Sequence, residues 1–157
     1  MFGISFNKYL AVFSVLTLAL GITVGSSSIA VGKETKSTAA EYRVKNIIGM
    51  NVKDQHGKKF GEIRDLLVDP QEPGRVLFAV VDPGRSLEFG HDRLMAIPFS
   101  ALARTVGEHF YVLNMTRDRL RRAPSFDEDH WPDLTDRSWN DVVYRFYGVA
   151  PYWNEGK

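Results

Sequence analysis

The chain of 157 residues is 44% hydrophobic, 25% charged and 12% aromatic, close to ordinary globular usage, which argues against long disordered, collagen-like and polytopic membrane chains. Twenty Lys and Arg stand against nineteen Asp and Glu, a formal net charge of +1, so there is no bulk positive field to hold nucleic acid or an anionic membrane. Cysteine is absent, which removes disulfide scaffolds, thiol nucleophiles, iron–sulfur clusters, cysteine-rich zinc sites and lipid attachment through a cysteine.

The uncharged stretch from Tyr9 to Gly25, YLAVFSVLTLALGITVG, follows Lys8 and precedes three serines. That order is the n-region and h-region of a secretory signal, and Ser28 and Ala30 put small residues where a signal peptidase reads. Residues 1–30 are expected to be a signal peptide cleaved after Ala30, leaving a chain that starts near Val31 with equal numbers of acids and bases. A retained single anchor over residues 9–25 is the alternative, although the stretch is shorter than the roughly 20 apolar residues a span needs. Residues 31–42 are small and polar and read as a flexible linker.

From residue 43 the runs between turn signals are rich in Val, Ile, Leu and Phe, the spacing of a small antiparallel barrel or sandwich. Asn46 to Val52 reads as a first strand, Asp54 to Gly57 as a turn, and Phe60 to Asp69 as a second strand bent near Gly61. Arg75 to Asp82 is apolar at consecutive positions and reads as a strand buried from both sides, the centre of the core. Arg85 to Arg93 reads as a loop and Leu94 to Pro98 as a strand that ends at its proline. Ser100 to Ala103 reads as one helical turn and His109 to Met115 as the closing strand.

The succession NIIGMNVKDQHGKKFGEIRDLLVD, GRVLFAVVDPG, LMAIPFSAL and FYVLNMT resembles the PRC-barrel domain, the small β-barrel shared by the photosynthetic reaction-centre H subunit and the carboxy-terminal part of a ribosome-maturation factor. The resemblance covers residues 43–118. It rests on Gly49-x-x-Val52, on Gly61-Glu62-Ile63 leading to Asp65 and Val68-Asp69, and on Ala96-Ile97-Pro98-Phe99 running into Ala101-Leu102. It implies a mainly β fold, a partly open antiparallel barrel used as an adaptor or assembly module, with no shared catalytic residues and no shared cofactor. Such a fold does not by itself determine a function.

Few residues suggest chemistry. His56, His91, His109 and His130 lack convergent metal-ligand spacing, so solvated loop positions are the expectation and no metal is assigned. Gly84-Arg85-Ser86 lacks the closing glycine of a nucleophile elbow, and Asp65 and Asp69 read as strand-edge or turn-capping residues rather than an acid–base pair. Arg117, Arg119, Arg121 and Arg122 form the densest basic patch. They could contact an anion, but a short solvated helix capped by Thr116 and paired with the Asp127 to Asp129 run is the expectation, because no net positive field supports the patch.

Residues 119–157 form an aromatic-rich extension that holds all three tryptophans. Trp139, Val142, Val143 and Phe146 have the spacing of one helical face. Ser138 with Asp141 resembles a capping box, and Gly148 and Pro151 supply the stop, so a helix is expected from Asp136 to Tyr147. Its apolar face either completes the barrel core or, with Trp131, Trp139, Tyr144, Tyr152 and Trp153, forms a surface for a protein partner or a second copy.

The function expected from these features is that of a non-enzymatic, exported interaction or assembly module in the bacterial cell envelope, with no cofactor and no nucleic-acid partner. A membrane-anchored subunit of a larger complex and a barrel that binds a small ligand or anion are the alternatives.

Overall fold

The computed structural model describes residues 39–88 and 92–154; the signal peptide expected at 1–30, most of the linker at 31–42 and His91 lie outside the described residues. Among the described residues, seven strands form one open sheet: β1 (Asn51–Lys53), β2 (Lys59–Val68), β3 (Val76–Asp82), β4 (Arg93–Pro98), β5 (Leu102–Ala103), β6 (Phe110–Leu113) and β7 (Ser125–Asp127). Their spatial order is β5-β6-β1-β2-β3-β4-β7. Neighbours are antiparallel apart from β1 and β6, which run parallel. The α-helices among the described residues are α1 (Val44–Ile47), α2 (Arg117–Leu120) and α3 (Arg137–Tyr147). Among the described residues, no helix is long and apolar enough to cross a membrane.

β3 is an interior strand buried on both faces, as its apolar run predicts: Leu77 to Val81 are all buried. Successive strand residues face opposite sides of a sheet, so Leu77, Ala79 and Val81 need a cover on one side and Phe78 and Val80 need one on the other. Phe78 meets α3, with ring centroids 5.6 Å from Trp139 and 5.4 Å from Tyr144.

The bend expected near Gly61 is a bulge. Val52 pairs with Gly61 and Lys53 with Lys59, leaving Phe60 as the extra residue. Phe60 and Gly61 are consequently both buried despite being adjacent. A methyl group on Gly61 would lie 2.5 Å from Val81 Cγ1 and 2.8 Å from the Asp82 carbonyl oxygen, so the glycine is what lets β2 lie against β3.

Several expectations need correction. Asn46 to Ile48 is not strand: Val44–Ile47 forms a helical turn, and Gly49, at φ +85°, redirects the chain into β1. Two adjacent isoleucines, Ile47 and Ile48, fit either structure, and the left-handed glycine just beyond them is a helix-ending signal. The single turn expected at Ser100 to Ala103 occupies Phe99–Ala101, and Leu102–Ala103 is β5, paired with Leu113 and Val112. β7 lies within the extension and pairs with β4.

Both sheet edges are short. β5 has two residues and β7 three. On β7 the Ser125 carbonyl accepts from Arg93 Nη2 at 3.0 Å, and the Asp127 carbonyl accepts from the His130 N–H at 2.9 Å.

Gly61→Ala should lower stability by about 1–3 kcal/mol, the usual range for overpacking, because the atoms it meets include β3 backbone. Urea unfolding checks this. Gly57→Ala is the contrast, since its φ of +75° with nothing within 4 Å leaves a conformational cost of only about 1 kcal/mol.

Candidate functional site

The extension is built around α3. Asp136 is its N-cap, and its carboxylate accepts from the Ser138 N–H at 2.9 Å and the Ser138 hydroxyl at 2.7 Å. Ser138 with Asp141 is therefore not the cap; Asp141 instead accepts from Trp153 Nε1 at 3.2 Å. Gly148 in the left-handed conformation ends the helix as expected.

The buried face comprises Asn140, Val143, Tyr144 and Tyr147, which lies about one residue around the helix from the face expected. Val142, expected inside, is 53% exposed. The reason lies in the aromatic rings: Trp139 and Tyr144 straddle Phe78, and that fixes the helix's rotation.

The sequence-selected aromatics fall into two groups. Tyr144, Trp153 and Tyr152 pack edge to face in series, with centroids 5.3 Å apart for Tyr144–Trp153 and 5.1 Å for Tyr152–Trp153. Trp139 joins them through Phe78. Tyr144 is buried, whereas Trp139, Tyr152 and Trp153 are half-buried. Trp131 stands apart, 47% exposed and resting on Phe126 at 5.2 Å.

The aromatic series is fastened to the sheet by Asp69, a buried residue in the β2–β3 connection. Its Oδ1 accepts from the Gln71 N–H at 2.7 Å, while its Oδ2 accepts from the Tyr152 hydroxyl and lies 3.5 Å from Arg137 Nη2. Arg137 also donates to Gln71 Oε1 at 2.6 Å and lies over the Trp153 ring at 4.1 Å, and Arg75 lies over the Tyr152 ring at 4.0 Å. Burial pushes the Asp69 carboxyl upward, but the bonds from Tyr152 and Gln71 and the charge of Arg137 outweigh it and hold the group below the usual carboxylate range. Burial pushes the Tyr144 hydroxyl up to about 12, with the Asp69 charge adding to it.

A second buried carboxylate, Asp54, accepts from the N–H groups of His56 and Lys58 at 2.9 and 3.0 Å and from Arg117 Nε at 3.1 Å. Burial again opposes ionisation, and these bonds again prevail, so its carboxyl too sits below the usual range. Arg117 further donates to the carbonyls of Ser86 and Lys59.

The four arginines of the basic patch are thereby divided. Arg117 ties the β1–β2 turn, the start of β2 and the β3–β4 loop together, Arg119 donates to the Phe146 carbonyl, and Arg121 pairs with Asp118 at 2.8 Å; Arg122 is exposed. Thr116 caps α2 as expected. The acids at 127–128 are not their partners, because Asp127 pairs with Arg93 at 3.2 Å and Glu128 with Arg64 at 2.9 Å.

His56, His109 and His130 are exposed, and among the described residues no three His, Asp or Glu side chains are grouped to hold a metal. A shallow cleft of about 310 Å³ runs beside the β2–β3 strands, with Lys59, Arg64 and Arg85 facing Glu62 and Asp82. Its cations are largely matched by its own acids: Lys59 with Glu62, and Arg64 with Asp82.

The roles of Asp54, Asp69 and Arg137 escape sequence reasoning. A turn-initiating Asp is visible in each case, but the arginines lie 63 and 68 residues away.

Asp69→Asn should cost about 1–3 kcal/mol at pH 7, as expected when charged hydrogen bonds are weakened around a buried group. The folded pKa is depressed, so the carboxylate's contribution is fully present above the unfolded value of about 3.9 and is lost as pH falls through the lower folded value. Stability of the two proteins measured from pH 7 to pH 2 should converge on the acid side of pH 4, with the difference constant between pH 5 and pH 7.

The PRC-barrel domain model matches residues 40–120, the segment holding β1 to β6 and α2. No curated protein matches the chain. This match covers more than half of the sequence: the chain belongs to the PRC-barrel domain family.

Proposed function

We propose that this chain is a non-enzymatic PRC-barrel protein that acts as an interaction or assembly module in the bacterial cell envelope, exported by residues 1–30. The observation that carries the interaction reading is Trp131. An indole 47% exposed and braced from behind by the Phe126 ring is the residue type most enriched at binding hot spots. Its ordering entropy is already lost before a partner arrives, which favours docking.

The charged groups support a structural rather than a catalytic use. General acid–base catalysis needs a group poised near the working pH. Asp54 and Asp69 are held ionised, below the usual carboxylate range, and Tyr144 is moved to about 12, so it remains protonated. Each of these shifts leads away from neutrality. The export reading rests on the uncharged run from Tyr9 to Gly25 and the small residues before Val31.

Crosslinking in intact cells, followed by mass spectrometry, tests the module reading. Trp131→Ala should reduce partner yield by about tenfold or more, the loss expected of a hot spot, with thermal stability little changed. An unchanged partner set would remove Trp131 from the interface. For export, the intact mass should correspond to a species starting near Val31 in the periplasmic fraction. A species beginning at Met1 in the membrane pellet would establish the tethered form instead.

A further inference from the structure

Trp131 stands between two turns that carry acids. The His130 N–H donates to the Asp127 carbonyl at 2.9 Å and the Asp136 N–H to the Asp133 carbonyl at 3.2 Å, so the chain turns on each side of the indole. The segment that makes both turns, PSFDEDHWPDLTD from Pro124 to Asp136, holds five acids and neither Lys nor Arg. Bases reach two of the acids from the sheet: Arg93 pairs with Asp127 at 3.2 Å and Arg64 with Glu128 at 2.9 Å. Asp136 caps α3 and faces the positive end of that helix.

Asp129 and Asp133 are left over. They lie two residues before and two residues after Trp131, both are exposed, and among the described residues neither has a basic partner. Asp133 accepts only from Thr135, from its N–H at 2.8 Å and its hydroxyl at 2.7 Å. Those bonds hold the Asp133 carboxyl below its ordinary value, against the neighbouring charge of Asp136.

The indole itself is unlike the other aromatics of this chain. Lys53 lies over Phe110 at 3.4 Å, Arg75 over Tyr152 at 4.0 Å and Arg137 over Trp153 at 4.1 Å. Tryptophan is the strongest of the side-chain faces that attract a cation. Trp131 is the most exposed of the three tryptophans, and among the described residues no Lys or Arg lies over it. Phe126 backs the ring, and Pro132 fixes its own φ and restricts the residue before it. A stiffly held, electron-rich face thus sits between two carboxylates without counter-charges.

We infer that Trp131, Asp129 and Asp133 form a seat for a Lys- or Arg-bearing segment of a partner protein, with one cation over the indole and its neighbours directed to the carboxylates. The inference rests on the reading in which the chain docks through Trp131, and it adds the chemistry of the partner. An apolar partner closing over Trp131 would take the two carboxylates out of water without counter-charges, which is costly. An anionic membrane or nucleic acid would be repelled by them. A cationic segment satisfies the ring and the carboxylates together.

The probe is a labelled nine-residue peptide of alternating Arg and Ala, compared with the same peptide carrying neutral citrulline for Arg, and binding to the full chain is read by fluorescence anisotropy. The Arg peptide should bind saturably and the citrulline peptide at least about tenfold more weakly. Trp131→Ala should weaken Arg-peptide binding by about threefold to thirtyfold, the range for a cation over an aromatic face. Asp129→Asn should weaken it by about twofold to fivefold. Glu108→Gln, which removes the same charge from the β5–β6 turn at the opposite end of the strand order, should leave it unchanged. All three side chains are exposed, so thermal midpoints should stay the same.

Equal binding of the two peptides, or equal losses in Asp129→Asn and Glu108→Gln, would overturn the cation seat. Binding to phosphatidylcholine vesicles that disappears in Trp131→Ala would assign the seat to a choline headgroup and overturn the protein occupant. Loss of the crosslinked cellular partner in Trp131→Ala, with peptide binding indifferent to Trp131, would refute the cationic partner and leave the module standing. An unchanged cellular partner set removes both.

Discussion

Everything outside the barrel interior follows from β3 being apolar on both faces. An antiparallel strand usually keeps one face wet, but Leu77 to Val81 leave β3 no polar side to present. Barrel curvature can cover only one of the two faces. The other must be covered by something added to the barrel, and residues 125–154 are that addition: β7 extends the sheet beyond β4 and α3 lies over Phe78. The extension is therefore not an appendage to a finished domain. Phe126, Val143, Tyr144 and Tyr147 are as much core as Phe60 or Ile63.

Two buried aspartates convert this cover into a defined arrangement. Hydrophobic contact alone would tolerate several rotations and registers of a helix on an apolar face. Asp54 and Asp69 each sit in a turn, use one oxygen to cap the turn backbone, and offer the other to an arginine arriving from much later in the chain. A buried carboxylate left without its arginine would be strongly unfavourable, so each pair discriminates against misplacement more than it adds to net stability. The same chemistry accounts for the divided basic patch: Arg117 belongs to the barrel's internal wiring rather than to an anion site.

How far the sequence was legible depended on whether the governing signal was local. The apolar run of β3, the glycine bend in β2, the Thr116 cap and the Gly148 stop are each carried by adjacent residues, and each was readable. The entry at Asn46 to Ile48 was ambiguous because two isoleucines suit either a strand or a helical turn. β7 is too short to set up a period. The rotation of α3 was missed because hydropathy ranks Val142 above Asn140, whereas the actual face is set by how Trp139 and Tyr144 fit around Phe78. The burial of Asp69 could not be seen because Arg137 and Tyr152 are distant in sequence and nothing near Asp69 announces them.

The short, occupied edges of the sheet carry one more consequence. A long bare edge strand is a template to which any other chain can add, and repeated addition produces fibres rather than complexes. Here one edge is a two-residue strand and the other has two carbonyls already engaged, by Arg93 and by the His130 N–H. Backbone-driven accretion has little to grip. In the assembly role proposed above, joints would be made by side chains of specific shape, and joints of that kind close on a fixed stoichiometry instead of propagating.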